Sequence, residues 1–230
     1  MSINFVDYFS PIIQLLGVTG FLLFYGRFYM QWIVSELKGR SVVPVAFWYM
    51  SGFGAVSLLL YGAFSGSPLG TLSYCFNTVV YARNLVHIWR EKGLLTPSRS
   101  KWFHGSIGLV VLVGIVLVAI TWWGEYQRTQ DTELIEQAKN WIWIAIGVLG
   151  QGLFALRFLV QWLVTEIRKK STVPVIFWYI SVVAAVLMMS SYIQRGGREW
   201  LFAIGIFFTL FIYLRNIYMI HFKKADRVSD

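Results

Sequence analysis

Seven long apolar segments follow one another along the chain, separated by short stretches that contain most of the charged residues. A helix needs about 20 mainly apolar residues to span the hydrocarbon core of a bilayer, and each segment meets this length. The pattern therefore predicts seven transmembrane helices. They are predicted at residues 11–36, 43–65, 68–89, 103–123, 141–166, 173–194 and 199–221.

Composition supports this interpretation of the pattern. Of the 230 residues, 57% belong to the hydrophobic class and only 13% are charged. A soluble domain usually has about a quarter of its residues charged, so this chain has too few charges to cover a water-facing surface. We therefore expect a multi-pass membrane protein.

Basic residues indicate the orientation of the predicted helices. The formal net charge is +9, and the acidic stretch 125–139 falls on the side opposite to the basic loops. Basic loops remain in the cytoplasm, which predicts the N-terminus outside and the C-terminus inside. Because loops account for the charge, no nucleic acid partner is expected. The basic loop residues are Lys38, Arg40, Arg90, Lys92, Arg99, Lys101, Arg168, Lys169, Lys170, Lys223, Lys224 and Arg227.

Residues 27–51 and 157–181 are two copies of one motif. They read RFYMQWIVSELKGRSVVPVAFWYMS and RFLVQWLVTEIRKKSTVPVIFWYIS, with 14 of 25 positions identical and no gap. Further along, Tyr81–Asn84 matches Tyr213–Asn216. Each copy therefore covers three predicted helices.

The helix predicted at 103–123 has no counterpart in either copy. Three is an odd number, so this linker helix allows both copies to run in the same direction across the membrane, a symmetry known among transporters. The expected fold is an all-α membrane protein with two parallel three-helix bundles joined by a linker helix. The predicted domains are residues 1–92, 93–138 and 139–230.

Arg27 and Arg157 occupy the same position in the two copies, deep within the first and fifth predicted helices. Arg27 lies about 13 Å along the helix from Glu36, which places it near the middle of the bilayer. A charge there costs about 3 kcal/mol. Either the side chain extends to the cytoplasmic headgroups, or it is a functional cation.

Arg27, Gln31 and Ser35 follow one another at intervals of four residues, so they share one face of a helix. The second copy repeats this stripe with Arg157, Gln161 and Thr165. Each stripe offers a cation, an amide and a hydroxyl, which suit a phosphate or a carboxylate. We predict these six residues to bind substrate.

Five further residues are candidates for substrate binding. The tryptophans either anchor the protein at the membrane interface or stack on a sugar. The asparagine either contacts a ligand or bonds a neighbouring helix. These residues are Trp32, Trp48, Asn77, Trp162 and Trp178.

A third group of repeated residues is predicted to have structural or gating roles. Glu36 lies on the helix face opposite Arg27 and is expected to pair with Arg83, and Glu166 is expected to pair with Arg215. Asparagine side chains commonly bond helices to one another in membranes. The group is Glu36, Glu166, Pro44, Pro174, Arg83, Asn84, Arg215 and Asn216.

The sequence contains no pattern typical of catalysis. Cys75 is its only cysteine, and there is no paired-carboxylate site, Ser/His/Asp set, metal-ligand spacing or glycine-rich phosphate loop. We therefore expect no metal, no cofactor and no enzymatic activity.

The pattern R-x-x-x-Q-W-x-x-[ST]-E-x(4)-S-x-x-P-x-x-F-W-x-x-S, followed by Y-x-R-N, resembles the N-terminal domain of lipid A disaccharide synthases. The resemblance implies a bacterial inner-membrane protein of envelope or lipid A biosynthesis. Nothing in this chain corresponds to the glycosyltransferase part of those synthases, so their activity is not expected.

The 3+1+3 plan is more distantly similar to SWEET transporters, PQ-loop proteins and KDEL receptors. Gln31 and Gln161 match the glutamine of the PQ-loop, but Met30 and Val160 replace its proline. That replacement puts a proline-hinged movement in doubt.

The favoured hypothesis is a transporter or flippase for a lipid-linked anionic glycolipid, such as a polyprenyl-phosphate sugar. One alternative is a SWEET-like transporter of small soluble sugars. The other is a non-catalytic membrane scaffold that recruits an envelope glycosyltransferase. The expected partners are thus a membrane lipid or lipid-linked sugar phosphate, and that glycosyltransferase.

Overall fold

The computed structural model describes residues 10–38, 44–94, 96–168, 174–197 and 199–221, and all regular structure within them is α-helical. The helices are α1 (Pro11–Leu37), α2 (Val45–Phe64), α3 (Pro68–Glu91), α4 (Pro97–Gln130), α5 (Leu134–Arg168), α6 (Val175–Arg195) and α7 (Trp200–His221).

Prolines stand at the starts of several of these helices. Pro11 and Pro68 occupy the first turns of α1 and α3, and Pro44 and Pro174 cap α2 and α6. The first turn of a helix has N–H groups without intrahelical partners, so proline costs little there.

Six helices are long and apolar enough to cross a membrane, and α3 is the exception. At 24 residues α3 is long enough, but it is the least apolar of the helices. Several are buried and bonded within α3 itself: Thr71 Oγ1 donates to Ser67 O at 2.6 Å, and Thr78 Oγ1 to Tyr74 O at 2.8 Å. Their polarity is therefore satisfied inside the bundle.

Helices α4 and α5 extend well beyond the apolar spans predicted at 103–123 and 141–166. Only residues 131–133 separate the two helices, so the acidic stretch 125–139 is mostly helical. Glu, Gln, Lys and Arg favour helices almost as strongly as Ala, and this explains why helical structure continues where hydrophobicity ends.

The chain divides into two compact units, residues 1–132 and 133–230. In the first unit α2 packs against both α1 and α3, and α4 packs mainly against α3. In the second unit α6 packs against both α5 and α7. The middle helix of each repeat thus contacts both of its neighbours. The predicted domain boundaries, at residues 92 and 138, stay a prediction.

A glycine allows close approach of the first two helices at the same place in each unit. A Cβ added to Gly20 would lie 2.9 Å from Leu58 Cγ, and one added to Gly150 would lie 2.8 Å from Met188 Cγ. Leu58 and Met188 are equivalent positions of the repeat. Small residues at helix contacts are typical of membrane proteins, where packing supplies much of the association energy.

Each unit also has a polar contact between the middle and the last helix of its repeat. In the first, the Trp89 indole N–H donates to Tyr49 Oη at 2.6 Å. In the second, the equivalent Tyr179 hydroxyl lies 3.0 Å from His221 Nε2. The two repeats therefore place the same helix–helix contact at the same point.

The glycine contacts lead to a prediction about stability. Gly20→Ala and Gly150→Ala should each lower the free energy of unfolding by about 1–3 kcal/mol, the usual cost of overpacking. Thermal unfolding of the purified protein in detergent measures this change.

Matched control substitutions lie on the same helices. A Cβ at Gly26 would come no closer than 4.0 Å to Met50 Cε, and one at Gly152 would meet nothing within 4 Å. Gly26→Ala and Gly152→Ala should therefore be neutral or slightly stabilising. Equal losses in all four variants would contradict the prediction.

Candidate functional site

Arg27 lies inside the first unit, with only 4% of its surface exposed. Its guanidinium carbon is 3.8 Å from the ring centroid of Phe24, 4.8 Å from Phe28, 5.2 Å from Phe47 and 4.9 Å from Tyr81. These rings come from α1, α2 and α3. We call these five residues the first arginine cage.

The cage corrects one explanation offered by the sequence. A snorkelling arginine would extend its guanidinium along lipid to the headgroups, but Arg27 holds it among aromatic rings within the bundle. Rings stabilise a cation through their electron-rich faces, with about 0.5–2 kcal/mol for each favourable pair. The aromatic rings therefore offset part of the cost of burying this charge.

The rings do not satisfy the donor groups of Arg27. Its Nε and Nη1 atoms are buried and have no hydrogen-bond partner within the part of the chain that the structure describes. An unsatisfied buried donor costs about 1–3 kcal/mol, and more when it is charged. An acceptor brought by a ligand would remove this cost.

Arg157 is surrounded in an equivalent way in the second unit. Its guanidinium carbon is 4.4 Å from the ring centroid of Phe154, 5.1 Å from Phe177 and 5.3 Å from Tyr213. Its Nη1 donates to Ser181 Oγ at 2.9 Å and to Tyr213 Oη at 2.8 Å. We call these five residues the second arginine cage.

The two cages differ in hydrogen bonding although their residue types correspond. Ser51 and Tyr81 are the equivalents of Ser181 and Tyr213. Ser51 Oγ donates to Phe47 O at 2.6 Å, as Ser181 Oγ does to Phe177 O. Among the described residues no hydrogen bond involves the Tyr81 hydroxyl, and none joins Ser51 to Arg27.

The predicted polar stripes are described only in part. Gln31 and Gln161 are half-buried one turn after the arginines, on α1 and α5. The side chains of Ser35, Thr165 and Trp162 lie outside the described residues. The use of these stripes for substrate binding stays a prediction.

The structure separates the predicted tryptophans into two groups. Trp48 is half-buried and its ring centroid is 6.4 Å from that of Tyr81, while Trp178 is 6.2 Å from Tyr213. These two lie beside the arginine cages. Trp32 is 55% exposed and donates its indole N–H to Glu36 Oε1 at 3.2 Å.

The expected ion pair between Glu36 and Arg83 does not form in the described structure. Both side chains are exposed, and the described contact of Glu36 is the one with Trp32. Exposed ion pairs contribute little to stability, so the fold does not depend on a pair between these two side chains. Arg215 is also exposed, and the side chain of its expected partner Glu166 lies outside the described residues.

The asparagines bond within their own helices. Asn84 Nδ2 donates to Val80 O at 2.8 Å, and Asn216 Nδ2 donates to Ile212 O at 2.7 Å. The expected bonds between helices are therefore replaced by bonds one turn back along α3 and α7. Asn77 is half-buried on α3 one turn before Tyr81, so both share one face.

Sequence reasoning missed a buried polar cluster in the second unit. Arg195 Nε contacts Glu199 Oε1 at 3.2 Å, and Arg195 Nη1 donates to Asn140 Oδ1 at 2.8 Å. Glu199 is only 1% exposed. The spacing of four residues between Arg195 and Glu199 could have indicated this ion pair.

The first unit has a related ion pair at the end of α4. Arg128 Nη2 lies 2.8 Å from Glu125 Oε2, and Glu125 is 4% exposed. Arg128 Nη2 also donates to Gly66 O at 3.4 Å, in the α2–α3 turn. This pair fixes α4 to the turn, and the three-residue spacing was again its signal in the sequence.

The aromatic residues of the cages were also missed as a set. Phe24 and Phe154 stand three residues before the arginines in both copies, and Phe47 and Phe177 lie within the repeated motif. The sequence indicated this set only through aromatic residues at the same positions of the two copies. Such matches are hard to recognise because aromatic residues make up 18% of the chain.

These observations define a class: a helical, multi-pass membrane protein with two related three-helix repeats, each of which surrounds an arginine with aromatic rings. The family described as the lipid A biosynthesis N-terminal domain matches this chain twice, at residues 16–86 and 146–218. These segments cover more than half of the chain. The protein therefore belongs to this family, as its repeated motif indicated.

Its curated relatives are bacterial enzymes. The chain is 30% identical to the lipid-A-disaccharide synthase of Chlamydia trachomatis serovar D over 79% of its own length and 30% of the relative. It is 27% identical to the lipid-A-disaccharide synthase of Chlamydia abortus over 97% of its own length and 35% of the relative. The chain thus spans about a third of these relatives. No solved structure matches it.

The difference in hydrogen bonding between the cages leads to a prediction about stability. Tyr213→Phe removes an acceptor of Arg157 and should lower the free energy of unfolding by about 1 kcal/mol, as measured for polar contacts in membrane proteins. Tyr81→Phe is the matched control and should change stability little. Thermal unfolding in detergent compares the two, and a larger loss in Tyr81→Phe would contradict this description of the cages.

Proposed function

We propose that this protein binds a lipid-linked anionic glycolipid, a polyprenyl-phosphate sugar, and moves it across the membrane as a transporter or flippase. The observation that carries the proposal is the buried, aromatic-enclosed guanidinium of Arg27 with two donor atoms that have no partner among the described residues. Membership of a family associated with lipid A biosynthesis supports a role in making or modifying the cell envelope.

An arginine in this setting suits a phosphate group. The guanidinium remains charged at any physiological pH, and its planar donors match phosphate oxygens. A neutral sugar would leave the buried charge of Arg27 unbalanced. This argues for a lipid-linked phosphate over a small soluble sugar.

The surroundings of the cages offer contacts for the remainder of such a ligand. Trp48 and Trp178 are half-buried beside the cages, and we assign them the stacking on the sugar. Gln31, Gln161 and Asn77 are half-buried and offer amide groups for sugar hydroxyls. The apolar polyprenyl chain would remain in lipid.

The proposal includes a location and a topology. We place the protein in the bacterial inner membrane with seven crossings, two parallel three-helix repeats on a SWEET-like plan, the N-terminus outside and the C-terminus inside. All seven helices are long enough, and the buried polar residues of α3 support its crossing with α2.

Cysteine labelling tests this topology. Single cysteines are introduced in a Cys75→Ser background and treated with a membrane-impermeant maleimide. Lys38→Cys and Lys92→Cys should react only after the membrane is opened. Asp131→Cys should react already in intact spheroplasts. All three positions are exposed. Because α2 lies between Lys38 and Lys92, these can share a side only if α3 crosses too. Labelling of Lys92→Cys in intact spheroplasts would overturn the seven-helix plan.

Ligand binding and transport are tested with Arg27→Gln/Arg157→Gln. In native mass spectrometry the wild-type protein should retain a polyprenyl-phosphate sugar. In proteoliposomes it should move a fluorescent analogue between leaflets. In the variant, the amount of bound ligand and the rate of movement between leaflets should each fall by about tenfold or more, since removing one partner of a buried charge contact is costly. Lys92→Ala/Lys101→Ala removes two exposed charges and is the control.

The alternatives give different results. Uptake of a labelled free sugar that does not depend on the arginines would favour a soluble-sugar transporter. Stable co-purification with a glycosyltransferase, lost in Lys92→Ala/Lys101→Ala and retained in the arginine variant, would favour a scaffold. Either result without phosphate-lipid binding would overturn the proposal.

A further inference from the structure

We infer that the two arginine cages have different tasks: the first binds a single monoanionic phosphodiester per chain, held by Arg27 and the Tyr81 hydroxyl, and the second is a structural clamp. This inference rests on the proposed function. It narrows the ligand to one negative charge and places its phosphate in the first unit.

The donor groups of the first cage support this assignment. Arg27 is 4% exposed, and its Nε and Nη1 have no partner among the described residues. The Tyr81 ring lies 4.9 Å from the guanidinium carbon, and its hydroxyl makes no hydrogen bond within the described part of the chain. In the second unit the same two residue types meet at 2.8 Å, so a tyrosine hydroxyl at this position can come within hydrogen-bond distance of the guanidinium.

The second cage has acceptors of its own. Arg157 Nη1 donates to both Ser181 and Tyr213, and Ser181 is fully buried. A ligand at this nitrogen would have to displace two existing hydrogen bonds. At the Nη1 atom, the second cage therefore gains less from an external anion than the first does.

The charge balance of the first unit limits the ligand to one negative charge. Among its described Lys and Arg residues, Arg27 and Arg128 are the two that are not exposed, and Arg128 is paired with Glu125 at 2.8 Å. Within the described part of the first unit, one buried positive charge is thus left to be balanced. A diphosphate would bring at least one more negative charge, and an unbalanced buried charge is costly. A phosphodiester between sugar and polyprenol matches the site.

The experiment measures binding of short-chain analogues to the purified full chain. The probes are a sugar phosphocitronellol, the same sugar linked through a diphosphate, and the neutral sugar citronellyl ether. Native mass spectrometry counts bound molecules, and a titration gives each Kd. We expect one phosphodiester per chain, bound about tenfold or more tightly than either other probe.

The same tyrosine substitutions that test stability separate the tasks of the two cages. Tyr81→Phe should weaken binding of the phosphodiester by about tenfold to a hundredfold, the loss of one hydrogen bond to a charged group. Tyr213→Phe should leave this Kd within about twofold while lowering stability. Each variant thus changes one property and keeps the other.

The failures of the inference and of the proposed function are distinguishable. Two phosphodiesters per chain, a preference for the diphosphate, or weaker binding only in Tyr213→Phe would overturn the inference and leave a phosphate-lipid binder. If none of the phosphorylated probes binds the wild-type chain, the proposed function fails as well.

Discussion

A permanently charged guanidinium inside a bundle of apolar helices constrains each unit of this protein. Arginine cannot be deprotonated under physiological conditions, so its charge must be stabilised where it lies. The first cage does this with rings from α1, α2 and α3, and the second with rings and hydroxyls from α5, α6 and α7. Each arginine therefore requires its three helices to stay in register.

Close helix packing makes this register possible. A Cβ added to Gly54 would lie 2.8 Å from the backbone nitrogen of Phe24, and a Cβ added to Gly20 would lie 2.9 Å from Leu58 Cγ. These contacts bring α2 against α1 at Phe24 and one turn before it. The ring of Phe47 then comes within 5.2 Å of the guanidinium carbon. Small residues and aromatic residues thus act together, the first by allowing contact and the second by stabilising the charge.

The sequence predicted the helices well because hydrophobic length is a local property. It predicted the repeat for the same reason, since the two copies match residue by residue along the chain. The depth of Arg27 in the bilayer stays a prediction. The cages could not be predicted in this way, because Phe24, Phe47 and Tyr81 meet only after three helices pack. For the asparagines, a local contact replaced the expected contact between helices. Asn84 and Asn216 were expected to bond other helices, but each bonds the carbonyl one turn back, which is always within reach. Helix α4 exceeded its predicted span because hydrophobicity locates the membrane and does not mark where helical structure ends.

The tight turn between α2 and α3 has a consequence for how the protein is made. Ser67 accepts a hydrogen bond from Gly70 N at 2.9 Å, and its own N–H donates to Gly62 O at 2.8 Å, so the last turn of α2 and the first of α3 are bonded together. A helix as polar as α3 partitions poorly into lipid when it leaves the translocon alone. Joined to α2 as a hairpin, it can enter with its polar face already covered. In the proposed seven-helix topology, we therefore expect α2 to remain beside the translocon until α3 has emerged.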